Sequence, residues 1–204
     1  MLKFVKTRYS GVNPKTESFE QSQKRMEDLR TLVSLMKGTA QATGILPNEY
    51  SVLLGHDHFI HLSTNVGILP KNDTVGNNCW KKDETGRYIK RYSDPIQVTQ
   101  DTLDRALENS LSEHNLHYCT AKPLQLIRGN MMYFYTDENY QVTDCNITYL
   151  KTPTAITLDG PFEEYSDLPK HTHSEIVKLA VQMYLENTTN ARYTSYSNEV
   201  NTME

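Results

Sequence analysis

Between Lys122 and Lys151 three runs follow one another with only short polar breaks: Lys122 to Arg128, Asn130 to Thr136 and Gln141 to Lys151. They are rich in Tyr, Ile, Val and Thr, the side chains that fit a pleated, half-buried surface. Asp137-Glu138-Asn139 reads as a turn joining the last two runs as a hairpin. Thr154 to Leu158 adds a short strand after Pro153. This stretch commits the middle of the chain to an antiparallel sheet, and the segments on either side must supply what covers it.

Those segments read as helices. From Glu17 to Lys37, Phe19, Ser22, Met26, Leu29, Val33 and Met36 recur at steps of three and four, the period of one helix face. Asn13-Pro14 supplies a start signal and Gly38 a stop. Thr99 caps a shorter helix to Leu111, with Leu103, Ala106, Leu107 and Leu111 on one side. After Leu168-Pro169, Thr172 and Glu175 have capping-box spacing, and Ile176, Leu179, Ala180, Met183 and Tyr184 line the helix that follows. Tyr50 to Leu62 is strand-compatible. The expected class is α+β: an antiparallel sheet with packed helices, namely a long N-terminal, a short middle and a C-terminal helix, plus a long loop insertion and extended termini.

The organisation follows from where periodicity fails. Residues 1 to 15 are polar, with Gly11 and Pro14, and read as an N-terminal arm. Residues 16 to 187 are expected to form a single domain, interrupted at 63 to 95 by Asn, Gly, Lys, Asp and Pro with one hairpin around Asp83-Glu84-Thr85-Gly86. A loop of that length points to a task or to disorder. Residues 188 to 204 lack periodicity and read as a tail that orders on a neighbour.

Charge and composition exclude several function classes. With 21 Lys+Arg against 25 Asp+Glu the net charge is −4, so the chain lacks the basic field of a protein that coats DNA. No stretch approaches the roughly eighteen apolar residues of a membrane helix, and no secretory core follows Met1, so no membrane partner is expected. Cys79, Cys119 and Cys145 are odd in number and widely spaced, and read as reduced thiols. The 13 Tyr against 5 Phe and 1 Trp suit half-buried, interface-rich surfaces.

Three sets of residues are candidates for chemistry. His56-Asp57-His58 with His61 is the one cluster that suggests a metal, since on a strand His56 and His58 point to one side. His61 then faces the other side and no fourth ligand lies at a suitable spacing, so exposed polar residues on a strand explain the cluster as well. Lys81, Lys82, Arg87, Lys90 and Arg91 make the insertion locally basic, which reads either as a solvated loop or as a contact for an acidic partner or DNA phosphates. Tyr133, Tyr135, Tyr140 and Tyr149 read either as a stacking platform for single strands or as core, and alternation does not separate the two. His171 and His173 read as loop and cap residues. Nucleophile elbows, Ser-x-x-Lys and phosphate-cradling glycine loops are absent from the sequence. No catalytic residue, metal or cofactor is expected.

The C-terminal half carries a resemblance. Ile147-Thr148-Tyr149-Leu150-Lys151-Thr152-Pro153-Thr154-Ala155-Ile156, then Leu168-Pro169-Lys170-His171-Thr172-His173-Ser174-Glu175-Ile176-Val177-Lys178-Leu179-Ala180-Val181-Gln182-Met183-Tyr184-Leu185-Glu186, resembles the head-tail connector and collar ring proteins of tailed phages, most of all those of crAss-like phages of gut Bacteroidales. The shared pattern is a strand ending in Tyr-x-Lys-x-Pro, a short strand, a Leu-Pro turn and a helix that starts at His and continues Ile-Val-x-Leu-Ala. The likeness spans residues 122 to 196, and its motifs are structural rather than catalytic.

The resemblance implies a virion protein made in the host cytoplasm and assembled as a homo-oligomeric, dodecameric ring between portal and tail. Its partners would be copies of itself, the portal protein, other collar ring or tail proteins, and double-stranded DNA passing through the lumen without sequence specificity. Ring closure needs two different faces on each subunit. Aromatic and Arg side chains anchor such interfaces, which makes Tyr184, Arg192, Tyr193 and Tyr196 the expected subunit contacts. The alternative expectation is a cytoplasmic metal-dependent enzyme using His56, Asp57, His58 and His61.

Overall fold

The computed structural model describes residues 1–10, 19–71, 80–116, 120–154 and 166–187. In chain order its elements are α1 (Leu2–Ser10), α2 (Phe19–Leu29), a 3-10 turn (Arg30–Leu32), β1 (Val33–Thr39), β2 (Gln41–Ala42), β3 (Glu49–Leu53), β4 (His58–Pro70), β5 (Arg91–Ser93), β6 (Ile96–Gln97), α3 (Leu103–Glu108), β7 (Leu124–Arg128), β8 (Met131–Tyr135), β9 (Tyr140–Lys151), a second 3-10 turn (Lys170–Thr172) and α4 (His173–Asn187). The class is α+β, as expected. The chain divides into two compact units, Ser34–Leu150 on the one hand and Met1–Val33 with Lys151–Glu204 on the other.

The central unit is built on two sheets, in the orders β1-β9-β4-β5 and β2-β3-β8-β7-β6. Tyr50, Val52, Met132 and Phe134 from the second sheet share one buried cluster with Val66, Ile68, Val142, Cys145, Ile147 and Tyr149 from the first. Alternation along β3 and β8 puts these side chains on one face. The intervening Tyr133 and Tyr135 point the other way, toward Leu103, Ala106 and Leu107 of α3, together with Leu124 and Leu126 of β7. The second sheet is therefore covered on both faces.

The tyrosine set belongs to this packing. Tyr135, Tyr140 and Tyr149 are buried, and the Tyr140 hydroxyl donates to the His114 carbonyl at 2.7 Å. Buried rings offer no stacking surface to a nucleic acid, so the platform reading is set aside.

Several sequence expectations change here. The N-terminal arm contains α1, which buries Phe4 and Val5. The long first helix stops at Leu29, and Val33 and Met36 lie on β1, because the edge of the first sheet takes up the β-branched end of the helical stripe. Tyr50 to Leu62 is two strands in different sheets, turned at Gly55, whose carbonyl accepts from the His58 N–H at 3.0 Å. Residues 63 to 70 of the expected loop continue β4.

The hairpin of the β region is β7–β8, closed by a two-residue turn with Gly129 at φ 58°, a conformation glycine adopts without penalty. Asp137-Glu138-Asn139 does make a turn, but it carries the chain from one sheet to the other. Asp137 accepts from the backbone N–H of Asn139 at 2.9 Å and of Leu116 at 2.8 Å. One pairing, β6 with β7, is parallel. The expected strand from Thr154 to Leu158 lies outside the described residues beyond Thr154.

The regular elements lying wholly in the second unit, among the described residues, are helical. Among the described residues, Phe4, Val5, Leu29, Leu32, Pro153, Leu168 and Thr172 are buried in this unit, with Asp28 at 1% exposure. Asp28 is held by His171, whose Nε2 lies 2.8 Å from one carboxylate oxygen, and by Arg8, whose Nε lies 3.2 Å from the other. Arg8 also contacts the Glu175 carboxylate and sits 5.3 Å from the centre of the Phe4 ring. One guanidinium thus ties α1, α2 and α4. The Thr172–Glu175 capping box does not form, because Thr172 donates to the Pro169 carbonyl at 2.8 Å and Glu175 is taken by Arg8.

Candidate functional site

Two places stand out: a polar cluster inside the central unit and an exposed helix face in the other.

The polar cluster begins at the Gly55 turn. A Cβ on Gly55 would lie 2.7 Å from Asp57 Oδ1, so glycine leaves room for that carboxylate. Asp57 accepts from the Tyr149 hydroxyl at 3.0 and 3.1 Å. The Tyr149 ring lies 5.1 Å from that of His58, and His58 stacks on His61 with centroids 6.4 Å apart and planes at 25°. His61 Nε2 lies 3.2 Å from Gln125 Nε2 on β7 and 3.3 Å from Thr64 Oγ1. Gln125, at 2% exposure, is the polar residue that β7 turns toward the first sheet.

Burial holds both imidazoles below their ordinary pKa. For His58 the nearby Asp57 charge opposes this, and for His61 the neighbouring His58 reinforces it. Burial also raises the Tyr149 hydroxyl, with Asp57 adding to the effect and a Ser34 hydrogen bond opposing it. His58 Nε2 and His61 Nδ1 are buried without a hydrogen-bond partner.

The sequence expectation of His56 and His58 on one side and His61 on the other is corrected. His56 is exposed in the turn before β4, and His58 and His61 share a side. The strand loses its alternation where Leu62 and Ser63 are both exposed, so parity does not sort these side chains. Among the described residues no group of three or more His, Cys, Asp and Glu comes together to hold a metal. Gln125 and Thr64 were missed as members of the cluster. Leu-Gln-Leu reads as a strand with a wet face, and only the second covering layer makes that face dry.

The basic segment folds back on itself. Asp83 accepts from the Thr85 and Arg87 N–H groups at 2.9 and 2.8 Å, and Gly86 takes φ 80°, which closes the expected hairpin. Lys90 Nζ pairs with Asp144 Oδ1 at 2.9 Å. Lys82 lies 4.5 Å over the Tyr88 ring and Arg91 5.4 Å over Trp80. Burial opposes the Asp144 charge, but Lys90 and Thr143 outweigh it and hold that carboxyl below its usual pKa. Lys81 and Arg87 are exposed. Three of the five candidate cations therefore have partners within the chain.

The exposed face is on α4. His173 Nε2 donates to the Leu168 carbonyl, 3.1 Å away, and His171 Nε2 lies 2.8 Å from an Asp28 carboxylate oxygen, so both are engaged locally at the start of the helix. The helix that follows buries none of its residues among those described. Val177, Val181 and Tyr184, at helical spacing, are 61%, 39% and 68% exposed, and Met183 is 39% exposed. Of the expected subunit contacts, Tyr184 lies on this face, and Arg192, Tyr193 and Tyr196 lie outside the described residues.

No family model and no curated protein sequence matches this chain. No helix of the described residues is long and apolar enough to cross a membrane.

Proposed function

We propose that this chain is a structural subunit of a phage head-tail connector or collar, which assembles with copies of itself into a dodecameric ring between portal and tail. The observation that carries the assembly reading is the α4 face: a helix rich in Ile, Val, Leu and Met that buries none of its described residues. Apolar stripes of that kind mark contacts with other proteins. The ring and its place in the virion rest on the resemblance of residues 122 to 196 to collar proteins. A net charge of −4 suits a lumen through which DNA slides without sticking.

The test is Val177→Asp combined with Val181→Asp in the phage genome. Both side chains are exposed, so the variant chain is expected to fold, which circular dichroism of the purified protein checks. The expected outcome is particles that lack the chain and do not join heads to tails. Incorporation at the normal level would count against the reading. Alanine at Tyr184, Arg192, Tyr193 and Tyr196 together is expected to disturb ring assembly in the same way.

A further inference from the structure

We propose that His58 and His61 form an acid-sensitive clasp between the two sheets of the central unit, closed while both rings are neutral and released when the pair takes up protons. The clasp itself is the contact of His61 on β4 with Gln125 on β7, at 3.2 Å. It crosses the layer filled by the apolar cluster. Three features of the geometry make it sensitive to acid.

First, the Gln125 amide donates to the ring nitrogen, which therefore presents its lone pair. Protonation there replaces the acceptor with a donor facing a donor. Second, the two rings are stacked at 6.4 Å, so a charge on one disfavours a charge on the other. Third, His58 Nε2 is buried without a hydrogen-bond partner, so a proton placed there is desolvated; the neutral His61 ring already carries its proton on the unpartnered Nδ1.

The groups that face the pair offer little compensation. Asp57 lies on the His58 side, and its carboxylate is engaged by the Tyr149 hydroxyl from β9. β7 presents the neutral Gln125, and β8 presents the Met132 thioether, 3.7 Å from Thr64. Asp94, after β5, is bound to the Asn65 amide at 3.1 Å.

The sign follows from linkage. Both groups have a folded pKa below the ordinary imidazole value of 6.5, so the unfolded chain binds protons first as pH falls. Their contribution to stability is complete above that value and is lost as pH drops through it toward the lowered folded values.

The experiment is urea unfolding of the full chain, followed by fluorescence of Trp80, the one tryptophan, buried in the same cluster. It is run near pH 7.5 and pH 5.5 on the wild type and on a His58→Phe, His61→Gln variant, which keeps a stacked ring and an amide partner. His114 is present in both proteins and cancels in the comparison. The folding constant of the wild type is expected to fall about tenfold or more on acidification, and that of the variant by much less. An equal loss in both, or none in the wild type, would overturn the proposal.

Should the variant not fold, NMR of the wild type decides. Ring resonances of His58 and His61 with midpoints below the ordinary value, moving together with the Gln125 amide protons, support the clasp. Ordinary midpoints with an unmoved Gln125 amide would contradict it.

Discussion

The Gln125 amide and His61 Nε2 meet at 3.2 Å in the layer between two sheets, and the contact gives that amide a partner in a buried place. A buried amide left without a partner costs about 1–3 kcal/mol. Gln125→Glu places a carboxylate beside the ring in low dielectric. The His61 midpoint is then expected to rise by about one unit or more, since an opposite charge favours the imidazolium. NMR titration of the ring measures it, and an unchanged midpoint would show that residue 125 does not touch His61 in solution.

Gly67 is the point of closest approach in the first sheet. A Cβ there would lie 2.1 Å from Asp144 Oδ1 and 2.8 Å from Lys90 Cδ. Gly67→Ala is expected to cost about 1–3 kcal/mol by displacing that ion pair. In a background with Asp144→Ala the same substitution should cost less, because the obstructing carboxylate is gone. A double-mutant cycle by urea unfolding reads the difference; additive losses would mean that the strain lies elsewhere.

Arg8 ties three helices through Asp28 and Glu175, and Asp28 is almost wholly buried. Arg8→Met leaves that carboxylate with His171 alone. Breaking a buried pair from one side costs about 3–5 kcal/mol, so helical signal in circular dichroism should melt at lower temperature. Arg8→Met combined with Asp28→Leu should recover part of the loss. No recovery would mean that packing rather than the uncompensated charge sets the cost.

Cys145 lies fully buried in the central cluster, and burial pushes its thiol pKa up to about 11. With Cys79→Ser and Cys119→Ser in place, a thiol reagent near pH 8 should label the folded chain only as fast as it opens. Labelling at the rate of a free thiol would contradict the packing of β9.

Much of the fold was legible in the sequence, and the gaps have physical causes. Tyr, Ile, Val and Thr located β7, β8 and β9 to within a few residues, because side-chain shape sets strand preference locally. Which strands pair is not local. Asp137 sits in the expected turn, yet the turn crosses between sheets, and its carboxylate also accepts from the Leu116 N–H, far away in sequence. Val33 and Met36 fit a helical period by spacing and lie on a strand because β9 offers them an edge. In the polar cluster, the histidines were visible as residue types. Gln125 was not, because a Leu-Gln-Leu strand looks wet until a second layer covers it. Lys90 looked like a free cation until β9 brought Asp144 to it.

As a proposed ring subunit between phage head and tail, the chain should meet its neighbour through α4. Cryo-electron microscopy of purified particles, with mass spectrometry to identify the chain in them, tests it most directly. The expected result is a symmetric ring of this chain between portal and tail, with Val177, Val181 and Tyr184 covered by a neighbour. Particles that join heads to tails and do not contain the chain would contradict it.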